Sequence, residues 1–120
     1  MNYPNNVVSI HPYFKAHPGQ LATFKASMSA CIEKTRSEKD NLYYEFTVNG
    51  DEVFCREAYV GAAGALAHLA NIGPELAEIF KIATLIRLEV HGPATELDQL
   101  RGPMAQMSPA WFILDVGLRR

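Results

Sequence analysis

The run "LYYEFTVNGDEVFCREAYV", residues 42–60, constrains the fold more than any other stretch of the chain. Two segments rich in β-branched and aromatic residues flank Asn49-Gly50. An Asn-Gly link between such segments is the strongest short-range signal for a β-hairpin. Directly after it comes "GAAGALAHL", 61–69, whose small residues and leucines suit a helix. A strand thus runs straight into a small-residue helix that carries one imidazole, His68.

The flanking segments complete a pattern. "VVSIHPYF" (7–14) reads as a strand closed by the turn His17-Pro18-Gly19. Leu21, Phe24, Met28, Cys31, Ile32 and Thr35 then recur at helical spacing, giving a helix over 19–36 that the polar cluster "RSEKDN" ends. Gly73-Pro74 interrupts the helix of 61–72, and Pro74 is suited to the first position of a further helical stretch, "PELAEIFKIA". "TLIRLEVH" (84–91) is the next strand, "GPATELDQLRGP" a short helix, and "WFILDVG" (111–117) a last strand. The order is β-α-β-β-α-β with an extra helix and strand appended. It predicts an α+β chain with a ferredoxin-like antiparallel sheet and helices on one face. No linker or repeat interrupts it. The expectation is one domain over 1–120, with a core at 7–91 and the C-terminal additions at 93–117.

The other face of that sheet should be polar in a monomer. Here Leu42, Tyr44, Phe46 and Val48 form one side of the first hairpin arm, Val53, Cys55, Glu57 and Tyr59 one side of the second, and Phe54 and Ala58 are apolar on the opposite side. Both faces call for burial, and a second sheet from a symmetric partner is the simplest cover, so a homodimer is expected.

Several function classes can be set aside. Formal net charge is −2 with no run of lysine or arginine, which argues against nucleic acid. No apolar stretch reaches the ~20 residues that span a bilayer, so no membrane partner is expected. "MNYPNNVVSI" lacks the basic start and apolar core of a secretion signal, and Cys31 and Cys55 read as buried thiols of a reducing, cytoplasmic protein. His11, His17, His68 and His91 are scattered, so no metal motif is present, and no phosphate-binding glycine loop or nucleophile elbow occurs.

Three places could carry chemistry. In the strand at 84–91, Ile86, Leu88 and Val90 make an apolar side and Arg87, Glu89 and His91 a polar one. That polar side is either a solvated edge or, beneath a partner sheet, an interior where the three groups must pair. Glu57 shares a strand face with Tyr59, and a carboxylate there either pairs with a cation or has its pKa raised toward general acid–base use. His68 falls opposite the helical stripe of Ala62, Leu66, Leu69, Ala70 and Gly73, beside Gly61, Gly64 and Asn71. Periodicity alone therefore favours an ordinary surface histidine. Against it stands Gly64, one turn earlier. Glycine inside a helix costs about 1 kcal/mol relative to alanine and often marks a close approach.

The segment "YYEFTVNGDEVFCREAYVGAAGALAHL" resembles the antibiotic-biosynthesis-monooxygenase (ABM) superfamily of dimeric α/β barrels. Tyr44, Glu57, Tyr59 and His68 match its tyrosine in the second strand, its strand ending in Glu-x-aromatic and its helix histidine, and Pro18-Gly19 and Phe24 match as well. The resemblance covers about residues 7–91, and "RLEVHGP" with the tail looks like an uncharacterised branch. It implies a ferredoxin-like sheet pairing into a dimeric α/β barrel. It also implies a cofactor-independent monooxygenase acting on a small aromatic quinol or phenol, with no cofactor and no metal. On it, His68 or Glu57 takes the phenolic proton, Tyr59 and Tyr44 hold the ring, and Arg87 and His91 contact the substrate. Tyr59 stands where the quinol oxygenases carry tryptophan. The haem-degrading branch needs a histidine where "PELAEIFKIA" offers only Lys81. The rival expectation is a non-catalytic dimeric binder or stress-associated module using the same pocket, with lactone isomerisation as a third outcome.

Overall fold

The computed structural model describes residues 4–120 as a five-stranded sheet whose helices all pack on one of its faces. In chain order the elements are β1 (Val7–Ala16), α1 (Leu21–Thr35), β2 (Asn41–Asn49), β3 (Glu52–Val60), α2 (Gly61–Asn71), α3 (Gly73–Ile82), β4 (Ala83–Gly92), α4 (Ala94–Leu100), one 3₁₀ turn (Ala105–Met107) and β5 (Ala110–Ile113). The strands lie in the order β2-β3-β1-β4-β5. The first four pair antiparallel in the ferredoxin-like arrangement, and β5 adds parallel to β4. No helix among the described residues is long and apolar enough to cross a membrane.

Side chains that alternate along β1 sort the two faces. Val8, Ile10, Phe14 and Ala16 are buried under the helices, whereas Ser9, His11, Tyr13 and Lys15 point to the open face. Beneath the helices the core divides in two. One cluster gathers Val8, Ile10, Tyr59, Leu88, Val90, Leu97, Leu100 and Met104. The other gathers Phe14, Phe24, Met28, Cys31, Val53, Ile72 and Ile79.

Four local features differ from the sequence expectation. Asn49 pairs with Glu52, so the hairpin loop is Gly50-Asp51 rather than Asn49-Gly50. Gly50 takes φ +62°, the first-position glycine that a type II′ turn requires. In β4 the pairing shifts between Tyr13 and Phe14, which lie opposite Arg87 and Leu85. A bulge therefore expels Ile86 to an exposed position and turns Leu85 toward the helices in its place. Strand β5 stops at Ile113, short of the expected 117.

The fourth difference decides where the chemistry sits. The buried face of α2 is Gly61, Ala62, Gly64, Ala65 and His68, not the leucine side, and His68 is fully buried. Steric room is the reason. A Cβ at position 64 would lie 3.0 Å from Asp40 Cβ and 3.3 Å from Tyr59 Cβ, so only glycine lets the helix lie this close to β3. Gly61 allows the approach to begin within a single residue, at φ +71°. Glu96 of α4 accepts the Ala62 N–H at 2.8 Å and places a carboxylate at the positive end of α2. Leu66 and Leu69 pack only partly, at the edge of the first cluster.

Candidate active site

Between the two hydrophobic clusters lies a narrow pocket enclosing about 530 Å³ of space free of protein atoms, its open mouth included. Its walls are almost wholly apolar, from Ile10 and Phe14 of β1, Leu85 and Leu88 of β4, Ile72 and the α3 face beyond, and Met104 and Met107. Glu57 and His68 are the acid–base exceptions, and they belong to neither cluster.

Strand alternation puts Cys55, Glu57 and Tyr59 of β3 on the helix side, and Tyr44 of β2 pairs opposite Glu57. Tyr59 Oη donates to Glu57 Oε1 at 2.6 Å. His68 stands over these groups from α2, its ring 4.9 Å from that of Tyr59 and 4.8 Å from that of Tyr44, centre to centre. Its Nε2 is 3.5 Å from Glu57 Oε1 but is not aligned with it for a hydrogen bond. On the far side, His68 Nδ1 donates to both oxygens of Glu38, at 3.0 and 3.1 Å. Thr35 Oγ1 also lies 3.5 Å from Nδ1, and its own hydrogen goes to the Cys31 carbonyl at 2.7 Å. These neighbours fix the neutral imidazole as the Nδ1–H tautomer, with the Nε2 lone pair toward Glu57.

Burial governs the protonation of the group. It pushes the Glu57 carboxyl from 4.5 up to about 7; hydrogen bonds from Tyr59 and Cys55 oppose the rise, and the nearby Glu38 charge adds to it. Burial lowers the His68 pKa, and the Glu38 charge and hydrogen bond oppose that fall. Tyr44, Tyr59, Cys31 and Cys55 are all pushed upward by burial, so none is an ionised nucleophile. At neutral pH the pocket therefore offers a carboxyl poised between its two forms beside a neutral imidazole, in apolar surroundings. That arrangement can give and take protons.

Four of the six side chains singled out from the sequence, Glu57, Tyr59, His68 and Tyr44, meet here. Arg87 and His91 do not. They lie on the open face of the sheet, where Glu89 bonds both: Arg87 Nε closely, and His91 Nε2 at 3.0 Å. Those two bonds hold the Glu89 carboxyl below its usual range. His91 stacks on Phe112, and the sheet itself separates this cluster from the pocket. Leu85 and Leu88 are what β4 contributes to the wall. Among the described residues, no three His, Cys, Asp or Glu side chains are grouped to hold a metal ion.

Sequence reasoning missed Glu38, Thr35 and Asn71. Asn71 Nδ2 donates to Glu38 Oε2 and to the Lys34 carbonyl, both at 2.9 Å, and so anchors the carboxylate that orients His68. The available signal was Asn71 itself, three residues beyond His68 and hence on the same helix face.

Over nearly its whole length the chain is similar to MupZ from Pseudomonas fluorescens, with 45% identity, a TM-score of 0.92, and coverage of 97% of this chain and 96% of MupZ. The chain belongs to the MupZ family. The fold of this family is also that of proteins described as candidate antibiotic biosynthesis monooxygenases. One from Chloroflexus aurantiacus is 17% identical at a TM-score of 0.62, covering 73% of this chain and 93% of its own. One from Caulobacter crescentus is 16% identical at a TM-score of 0.65, covering 73% and 90%. The ABM-like fold read from the sequence is therefore shared, and the match to MupZ extends over nearly the whole chain, α4 and β5 included. Neither a protein-family model nor a curated protein matches the chain.

Proposed function

We propose that this protein is a cofactor-independent enzyme whose Glu57 carboxyl, paired with His68, performs general acid–base chemistry on a small, uncharged and largely apolar substrate. The observation that carries this reading is the carboxyl held near neutrality at the base of an apolar pocket, within 3.5 Å of an imidazole nitrogen that has no hydrogen-bond partner. The pocket walls offer no lysine or arginine to pair with an anionic substrate.

The description of the fold relatives points to oxygenation. In that reaction Glu57 takes the proton of a small aromatic quinol or phenol, and Tyr44 and Tyr59 border the ring. The electron-rich phenolate then reduces O₂, one oxygen entering the product and the other leaving as water on the substrate's own electrons. A redox-neutral proton transfer, such as isomerisation, is favoured by a different observation. A carboxyl with a pKa of about 7 is as available as an acid as it is as a base, whereas phenol activation needs the base alone.

We further infer a single domain that acts as a homodimer through the open sheet face. There Tyr13 packs on Phe54 at 4.5 Å, and farther along the face Phe112 stacks on His91. The two free, buried cysteines fit a reducing, cytoplasmic setting.

The test is Glu57→Gln, which keeps shape and removes the titratable proton. Turnover should fall by about 10²-fold or more with the fold intact. O₂ uptake with a panel of hydroquinones identifies oxygenation, and product change without O₂ uptake identifies the redox-neutral reaction. Ligand binding that survives in Glu57→Gln, with no turnover in the unaltered protein, would instead establish the non-catalytic binder.

A further inference from the structure

Glu57 is only 5% exposed, beneath apolar walls. A buried acid–base group that changes protonation still has to exchange protons with solvent. On the other side of His68 is a separate surface depression lined by Ile32, Thr35, Arg36, Glu38, Asn41 and Tyr44, which shares only Tyr44 with the pocket. We propose that Glu38, acting through His68, is the proton port of the site, linking the Glu57 carboxyl to water in this depression rather than through the substrate's mouth.

Three side chains form the path. His68 Nδ1 lies 3.0 and 3.1 Å from the two oxygens of Glu38, whose side chain is 10% exposed, and Nε2 faces Glu57 Oε1 at 3.5 Å. Nε2 is fully buried and makes no hydrogen bond to any described residue, which a purely structural histidine would rarely leave so. Glu38 is held for the purpose on three sides. Its own N–H bonds the Thr35 carbonyl at 2.9 Å, Asn71 grips Oε2, and His68 bridges both oxygens. The other titratable groups around His68 are Cys31 of α1, Tyr44 of β2, and Cys55 and Tyr59 of β3; burial keeps all four protonated. Lys34 is turned away toward Glu75, at 3.1 Å. Only the two carboxyls and the imidazole are left to carry a proton.

The transfer balances. A small rotation aligns Nε2 with Glu57, Nε2 takes the carboxyl proton, Nδ1 releases its own to Glu38, and Glu38 passes that proton to water. Glu57 ends as carboxylate and His68 as the Nε2–H tautomer, still neutral. The reverse sequence brings one proton in and restores the first tautomer. Glu38 never touches the substrate, so it is a positioning residue that acts through His68.

This rests on Glu57 being the proton-carrying group, and the experiment separates the two ideas because it needs no substrate. The full-length protein is labelled with ¹⁵N-histidine, and the exchange of the His68 ring proton with water is measured in the unaltered chain and in Glu38→Gln. The port predicts exchange slowed by about tenfold or more in the variant. A Glu38 that merely props the ring predicts the opposite sign, because losing it loosens the histidine; unchanged or faster exchange overturns the proposal. Should Glu38→Gln not fold, the unaltered chain decides alone. Exchange carried by the port does not rise between about pH 6 and pH 8, because the carboxyl that feeds it ionises through about 7. A rise of about tenfold per pH unit, the mark of hydroxide reaching an opened site, overturns it. Slowed exchange in Glu38→Gln in a protein that turns over nothing would retain the port and overturn the acid–base reading.

Discussion

Tyr59 Oη donates a 2.6 Å hydrogen bond to Glu57 Oε1, two residues back on the same strand, and the two side chains bury each other beneath α2. The bond favours the charged carboxylate and so holds the Glu57 pKa lower than burial alone would set it. Tyr59→Phe removes that restraint. The Glu57 carboxyl should then titrate above about 7, seen as a shifted midpoint by ¹³C NMR of labelled glutamate. A downward shift would mean that the hydroxyl does not bond the ionised form.

Stability should depend on pH through the same carboxyl. Its folded pKa is raised, so the stability tied to its neutral form is full below the unfolded value of 4.5 and is lost as pH rises through about 7. The loss is about 3 kcal/mol at most for a buried group shifted this far. Glu57→Gln stays neutral throughout. By urea unfolding the variant should gain on the unaltered protein from pH 5 to pH 8, by an amount of that order. His68, with its pKa lowered from 6.5, runs the other way: its contribution is present above that value and lost as pH falls. A gap between the two proteins that does not widen with pH would remove Glu57 as the titrating group.

Gly64→Ala should destabilise the fold although alanine is the better helix former. The new methyl meets Asp40 Cβ at 3.0 Å and Tyr59 Cβ at 3.3 Å, both close to the backbone and slow to yield. Overpacking of this kind costs roughly 1–3 kcal/mol, more than the ~1 kcal/mol of propensity gained. Gly73→Ala is the control, because nothing lies within 4 Å of its added methyl. Equal denaturation midpoints for the two variants would show that α2 can move away from β3.

The dimer inferred above buries the open face, so a charge placed at its centre should break it. Phe54→Glu sets a carboxylate between His11 and Tyr13, whose rings lie 6.1 and 4.5 Å from that of Phe54. Sedimentation should move from dimer to monomer, and a variant that still sediments as a dimer would place the contact elsewhere.

The sequence displays what is set by short-range pattern and conceals what is set by pairing. The strands and helices follow from periodicity, and their order alone leads to the ferredoxin-like sheet. The bulge at Ile86 is invisible because it arises from how β4 registers against β1, so the polar and apolar sides of that strand could be separated but not assigned to a layer. His68 was misplaced by hydrophobic periodicity because α2 packs its smallest side chains, not its greasiest, against the sheet. Gly64 did carry the contrary signal. Glu38 sits in a polar helix-ending cluster like many others, and only its 3.0 Å contact with a residue thirty positions later gives it meaning.

The close seating of α2 on β3 divides the pocket into two parts with different freedom to change. Glu57, Tyr59 and His68 ride on elements held together at Gly64, where a larger side chain would force its neighbours apart. The rim opposite is made of Leu76 and Phe80 of α3 and Met107 of the 3₁₀ turn, residues that stay partly exposed. A change at the rim would therefore alter what the pocket admits without disturbing the seat of α2 on β3.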